Sequence, residues 1–225
     1  MKIRTEVIRV KMNCWWVLPL LVVAVNFGAE GKQKICGKKI DLAIVLDASA
    51  SIGEENFKLG KDFAKRLIKR FTISKDKVQV SVIAYSQYIN IASRFNDNND
   101  EKSLDNTLDN IFYEASSSGT GKTLEAVNFE VFTEKSGARS GRPGVKKVTV
   151  VVTDGWSGIG TDMVKEKVGQ MKRRGIEMFA VGITNSMKDE ELQVISSRPL
   201  KHHFFRLTDS MAENQIIDSI VTQVC

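Results

Sequence analysis

Two short stretches hold the residues whose types and spacing suggest chemistry. The apolar run Asp41 to Leu46 leads straight into Asp47-Ala48-Ser49-Ala50-Ser51. If the chain stays roughly extended there, positions i, i+2 and i+4 point the same way and three oxygen ligands converge, with Ala48 and Ala50 keeping the other side small. The second run, Val148 to Thr153, ends in Thr153-Asp154-Gly155 and supplies another carboxylate. A few carboxylates and hydroxyls, completed by water, form a hard oxygen site of the kind Mg²⁺ or Mn²⁺ accepts. So few anionic ligands leave such an ion electrophilic, ready to take an acidic group from outside.

Three catalytic readings compete with metal binding, and each has a defect. Ser116 to Thr123 is one residue short of a phosphate-binding loop, because Ser116 stands where the first glycine is required. That stretch also follows an expected helical segment, Ser103 to Tyr113, where the motif needs a strand. An aspartyl nucleophile at Asp47 would need a second acid two residues on, and Ser49 cannot serve as one. A serine hydrolase needs a histidine, and the chain has His202 and His203 alone, adjacent and read as a solvated turn before Phe204. Asp97 to Glu101 has Lys102 where an EF-hand loop needs glycine, and reads as a polar turn into a helix. No enzymatic activity is expected.

The elements that must position these residues alternate. Asp41 to Leu46, Val78 to Tyr85, Val148 to Thr153 and Met178 to Gly182 are nearly continuous apolar runs, as in strands buried on both faces. Between them lie helical stripes: Phe57, Ala64, Leu67, Ile68 and Phe71, then Val164, Val168 and Met171 up to a stop at Gly175. A last helix carries Ile217, Ile220, Val221 and Val224. Parallel neighbours need such crossovers, so the expected fold is α/β: a doubly wound, mostly parallel sheet with helices on both faces. Tyr88 to Arg94 follows too closely for a helix between and is expected as an antiparallel edge strand. In such a sheet ligands bind beyond the carboxyl ends of the strands, where Asp47 and Asp154 fall.

Composition agrees with a folded globular chain: 225 residues, 42% hydrophobic, 27% charged, with only 3 Pro. The net charge of +6 would invite a search for nucleic acid, but Lys2, Arg4, Arg9 and Lys11 against Glu6 account for half of it. Those residues precede the apolar run Cys14 to Val25. That run is too short to span a bilayer and is broken by Pro19, so residues 1–29 read as a secretion signal cut between Ala24 and Ala29, with no membrane anchor. Arg142, Lys146 and Lys147, with Lys172, Arg173 and Arg174, read as solvated loops and helix ends without aromatic rings for base stacking. Residues 30–37 form a short segment containing Cys36, and 38–225 a single domain. Trp156, directly after Asp154-Gly155, is either a partly buried packing residue or an exposed anchor for a partner.

Together these residues carry a resemblance. Asp47-Ala48-Ser49-Ala50-Ser51 and Thr153-Asp154-Gly155, each after an apolar strand, resemble the von Willebrand factor type A domain, the fold of integrin I domains and matrilins. Ser51 to Phe57, Gly137-Ala138-Arg139 and Pro143-Gly144-Val145 are similar to family sequence at matching places, and Cys36 to Cys225 covers the whole module. The resemblance implies a six-stranded Rossmann-like sheet and a metal-ion-dependent adhesion site. Asp47, Ser49, Ser51 and Asp154 carry over as ligands. The fifth is a threonine in the family; Ser118 stands in its place within Ser118-Gly119-Thr120-Gly121, and Thr120 is the fallback.

Flanking cysteines resemble the matrix members of the family. Cys36 and Cys225 bracket the domain, and pairing them would close a long loop at a gain of roughly 5 kcal/mol at most in the chain-entropy model. The other reading is two unrelated thiols. The implied protein is a secreted adhesion or matrix-binding module that takes a Glu or Asp of an extracellular partner, such as collagen or another matrix protein, onto bound Mg²⁺ or Mn²⁺. The alternative is a structural matrix or biomineral component that acts by self-association or charge, with the metal incidental.

Overall fold

The computed structural model describes residues 35–97, 100–157, 160–207 and 210–225. The expected secretion signal therefore lies outside the described residues, as does most of the 30–37 segment. Six strands form one sheet: β1 (Ile40–Asp47), β2 (Val78–Tyr85), β3 (Ile89–Ser93), β4 (Lys146–Thr153), β5 (Ile176–Gly182) and β6 (Phe204–Arg206). Their order is β3-β2-β1-β4-β5-β6, parallel throughout except for β3, which pairs antiparallel with β2 at one edge. The expected doubly wound sheet and its antiparallel edge strand are both present.

Every residue of β1 and β2 is buried, which is why both read as nearly continuous apolar runs, interrupted by Asp41 in β1 and by Gln79 and Ser81 in β2. Successive side chains feed two separate cores. Leu42, Ile44 and Leu46 pack with α1 (Glu54–Ile68), α2 (Glu101–Asp109) and α6 (Ser210–Val224) through Phe63, Leu67, Leu104, Leu108, Ile217 and Ile220. Ala43 and Val45 pack instead with α3 (Thr120–Ala126), α4 (Thr161–Arg173) and α5 (Asp189–Ile195) through Leu124, Val164, Val168, Met171, Leu192 and Ile195. The helices thus divide between the two faces as period-two alternation requires.

Local chemistry sets the helix ends. Asp100 caps α2 by accepting the Ser103 N–H at 2.9 Å. That helix stops at Asp109, short of the expected Tyr113, because the Tyr113 hydroxyl donates to the carbonyls of Ser49 and Ala50 and holds its backbone in another course. Beyond α3 the chain continues as a π-helical turn, Val127–Val131. The expected stop at Gly175 holds: α4 ends at Arg173, and Gly175 adopts φ 71°, open to glycine at no steric cost.

At the starts of the strands, Arg139 is a buried staple. Its backbone N–H and Nε donate to the two Asp41 carboxylate oxygens at 2.6 and 2.9 Å, and its remaining nitrogens donate to the carbonyls of Ile40, Lys75 and Lys77. Close by, Cys36 and Cys225 are disulfide-bonded with Cα atoms 6.0 Å apart, joining the chain before β1 to the end of α6.

One local reading is corrected. His203 is buried, stacked on Phe179, with its ring nitrogens in contact with the Pro199 carbonyl and a Glu177 carboxylate oxygen, each at 2.9 Å. Those two polar partners allow an imidazole to sit inside the fold where a solvated turn was expected.

Candidate metal centre

The strand order reverses between β1 and β4, and the carboxyl ends of these two strands carry Asp47 and Asp154. Asp47 closes β1, in register with Tyr85 at the end of β2 and beside Thr153 at the end of β4. Beyond it the chain stays extended only as far as Ser49, which bridges to Ser116, and then turns at Ala50 to Ile52. The turn still brings the Ser49 and Ser51 hydroxyls within 3.3 Å.

Asp47 is 2% exposed and its carboxylate is held from three directions. Oδ1 accepts the Ser49 N–H at 3.0 Å, and Oδ2 accepts the Tyr85 hydroxyl at 2.9 Å and the Thr153 hydroxyl at 2.7 Å. Burial pushes its pKa up and the charge of Asp154 adds to the rise, against hydrogen bonds from Ser49 and Thr153. Burial and the neighbouring Asp47 charge raise Tyr85 well above the ordinary phenol range, so it stays a neutral donor.

The loop before α3 is tied to the same network. Ala115 N–H donates to the Ala48 carbonyl and Ala50 N–H to the Ser116 carbonyl, while Ala115 itself takes the left-handed φ of 52°. Ser118 is half-buried, and its hydroxyl lies 3.1 Å from that of Thr120. Thr120 in turn lies 3.1 Å from the Tyr85 hydroxyl and is 1% exposed. Thr120 thus links Ser118 through Tyr85 to Asp47. Gly119 is required here by space, since a Cβ would lie 2.9 Å from the Ser86 carbonyl.

Asp154 is 1% exposed and accepts the Trp156 N–H at 3.0 Å. Its carbonyl accepts the Lys188 N–H at 2.7 Å, and Gly155 at φ 76° leaves no room for a Cβ against the Lys188 carbonyl. Trp156 is 47% exposed, its indole donating to the Ser186 carbonyl with the Lys188 ammonium 3.5 Å from the ring centre. The residue is thus packed against Ser186 and Lys188 and about half-exposed, a geometry compatible with both of its sequence readings.

A buried acid that the sequence did not single out completes the surroundings. Glu191, on α5, accepts from the Ser157 hydroxyl through one oxygen, while its other oxygen is buried without a partner. Burial raises its pKa, and the charges of Asp154 and Asp47 raise it further. Among the described residues none of these three acids is ion-paired to Lys or Arg. Three buried carboxyls without a counter-charge, one of them with an orphaned oxygen, and all-oxygen donors suit a hard divalent cation. Among the described residues no three His, Cys, Asp or Glu side chains gather closely enough to hold a metal by themselves, so hydroxyls would have to supply part of any coordination shell.

The missed residues left a weak trace. Tyr85 and Thr153 are strand residues in type, and only their place at the carboxyl ends sets them apart. Glu191 falls in an acidic run, Asp189 to Glu191, that reads as the solvated first turn of a helix.

Sheet order and strand-end chemistry together define an α/β domain with an oxygen-rich site at its switch point. Residues 41–221 match the von Willebrand factor type A domain, and the chain belongs to that family. It is 33% identical over 189 residues to matrilin-1 of Mus musculus, covering 84% of this chain and 36% of that protein. It is 30% identical over 185 residues to the collagen alpha-4(VI) chain of Mus musculus, covering 82% of this chain and 8% of that one. The chain thus spans about a third of matrilin-1. Among solved structures, proximal thread matrix protein 1 from the mussel byssus superposes with a TM-score of 0.73 at 24% identity, over 83% of this chain and 48% of that one. Another structure of that mussel protein, with a zinc-occupied MIDAS motif, superposes equally well at 23% identity, over 84% and 49% of the two chains. Among the described residues no helix is long and apolar enough to cross a membrane.

Proposed function

We propose that the chain is a secreted, non-enzymatic adhesion module of the extracellular matrix that binds an acidic group of a protein partner through a divalent cation, Mg²⁺ or Mn²⁺. Asp47, Ser49, Ser51, Ser118 and Asp154 would hold the ion. Bound there, the cation would offer an open coordination position to a Glu or Asp carboxylate from outside.

The chain's own residues do the rest. Ser49 N–H and the hydroxyls of Tyr85 and Thr153 hold Asp47 in one orientation, and Trp156 N–H does the same for Asp154. The half-exposed indole of Trp156, two residues from Asp154, offers an anchor of the type enriched at binding hot spots. The observation that carries this reading is the unbroken hydroxyl chain Ser118–Thr120–Tyr85–Asp47, which ties loops from three parts of the sequence to one point. Matrix relatives such as matrilin-1 support an extracellular protein partner.

The test is binding of the purified chain to matrix protein freed of polysaccharide, with Mg²⁺, with EDTA, and with EDTA followed by Mg²⁺. Loss with EDTA and recovery with Mg²⁺ are expected. Binding that ignores EDTA and collapses with salt would replace this reading with a structural, charge-driven matrix component.

A further inference from the structure

The pole of the sheet opposite the metal centre carries charge of the other sign. Because β1, β2, β4 and β5 are parallel, their first residues line one edge. Ile40 N–H donates to the Lys77 carbonyl and Lys146 N–H to the Lys39 carbonyl, both at 3.0 Å, and Lys147 is in register with Ile176. The segments entering these four strands bring Lys38 and Lys39, Lys75 and Lys77, Arg142, Lys146 and Lys147, and Arg173 and Arg174 to that edge. With Arg139 and Asp41 cancelling each other inside the fold, the acids among these segments are Asp76 and Glu177.

The excess is concentrated. Residues 38–225 hold 27 Lys and Arg against 25 Asp and Glu, so the nine basic and two acidic groups at this edge outweigh the net charge of the whole domain. The remainder is therefore acidic. Lys146 pairs with Glu177. Among the described residues Lys38, Lys39, Lys75, Lys77, Arg142 and Arg173 are exposed and have no ion pair. Four strands about 4.8 Å apart spread these charges over roughly 15 Å, a row suited to an extended polyanion.

We propose that this edge binds sulfated polysaccharide chains of the extracellular matrix. The charged segments themselves carry no aromatic ring, and the exposed Phe129 beside them, 5.9 Å from the Arg174 guanidinium, is a single ring where a single strand needs successive stacking platforms. They present separate ammonium and guanidinium groups on an open edge, which suits regularly spaced sulfates on a flexible chain. This site does not depend on the metal reading, because its charges lie at the other end of the strands.

The experiment measures binding of the purified chain to immobilised heparin at physiological salt, beside desulfated heparin, a DNA duplex and phosphatidylserine vesicles. Heparin should bind tightest, with affinity falling steeply as salt rises and unchanged by EDTA. The variant Lys38→Gln/Lys39→Gln/Lys75→Gln/Lys77→Gln should lose at least tenfold, with an unaltered melting temperature, whereas Lys58→Gln/Lys165→Gln should stay within twofold. Undiminished heparin binding by the fourfold variant would overturn the proposal. So would equal binding of duplex, vesicles or desulfated chains, or loss of heparin binding in EDTA.

Discussion

The hydroxyl of Tyr85 donates to Oδ2 of Asp47 across 2.9 Å, inside a fold that leaves neither residue more than 2% exposed. A carboxylate that sits on the rim of the sheet is thus oriented from within the sheet. Tyr85→Phe keeps the ring and removes the donor, and it leaves Thr120 with Ser118 alone as hydroxyl partner. The loss of a hydrogen bond to a charged group should cost about 1.5–3 kcal/mol. Metal affinity by calorimetry should fall while the circular dichroism spectrum stays native.

Asp47→Ala should abolish Mg²⁺ or Mn²⁺ binding with the fold retained, since its carboxylate is the most heavily supported of the proposed ligands. Ser118→Thr should bind at least as well as the parent, because the added methyl limits the rotamers of the same hydroxyl. Calorimetry on the two variants checks both; undiminished affinity in the alanine variant would move the site elsewhere.

Trp156→Ala should weaken metal-dependent partner binding more than loss of any single basic surface residue. A half-exposed indole two residues from Asp154 would offer a partner contact area at low entropic cost, whereas exposed lysines act mainly on encounter rate. Dissociation rates should rise for the tryptophan variant, and association rates should fall for a variant such as Lys58→Gln.

Arg139→Ala leaves Asp41 buried without its counter-charge and frees three backbone carbonyls near the strand starts. Breaking a buried pair from one side costs about 3–5 kcal/mol, so denaturant melts should show a loss of that order or no folded protein. Arg139→Ala together with Asp41→Ala should recover part of the loss. A single variant as stable as the parent would show that the staple contributes nothing.

Burial and the nearby Arg198 charge lower the Lys172 ammonium to about 8, although it donates to the carbonyls of Val194 and Ser196. Between that value and the ordinary lysine pKa of about 10.4, the unfolded chain holds a proton that the folded one has released. Stability from this group therefore rises with pH across that window and is flat below it. Lys172→Met should remove the rise in a comparison of denaturant midpoints at pH 7.5 and 10.

The sheet was legible because β1, β2, β4 and β5 are buried on both faces and so read as apolar runs, and the antiparallel β3 followed from its short connection. Asp47 and Asp154 were legible as acids ending such runs. Ser118 entered only through family resemblance, since nothing in the composition of its serine-rich loop distinguishes it from Ser116 or Ser117. Tyr85, Thr153 and Glu191 were hidden for a different reason. Their roles depend on strand register and on where α5 packs, which are long-range relations that periodicity does not encode. His203 was misread because two adjacent histidines suggest solvent, while the partners that bury one of them, Pro199 and Glu177, act in three dimensions.

The bond between Cys36 and Cys225 spans a sequence separation of 189 residues and sits at the pole away from Asp47. Any tension applied between the chain at Cys36 and the chain at Cys225 would run through that covalent link and pass the domain by. Roughly 600 Å of contour length would stay locked behind it. The domain would then transmit load as a short, inextensible joint, and the geometry around Asp47 and Asp154 would be insulated from a pull that could otherwise peel α6 from the sheet.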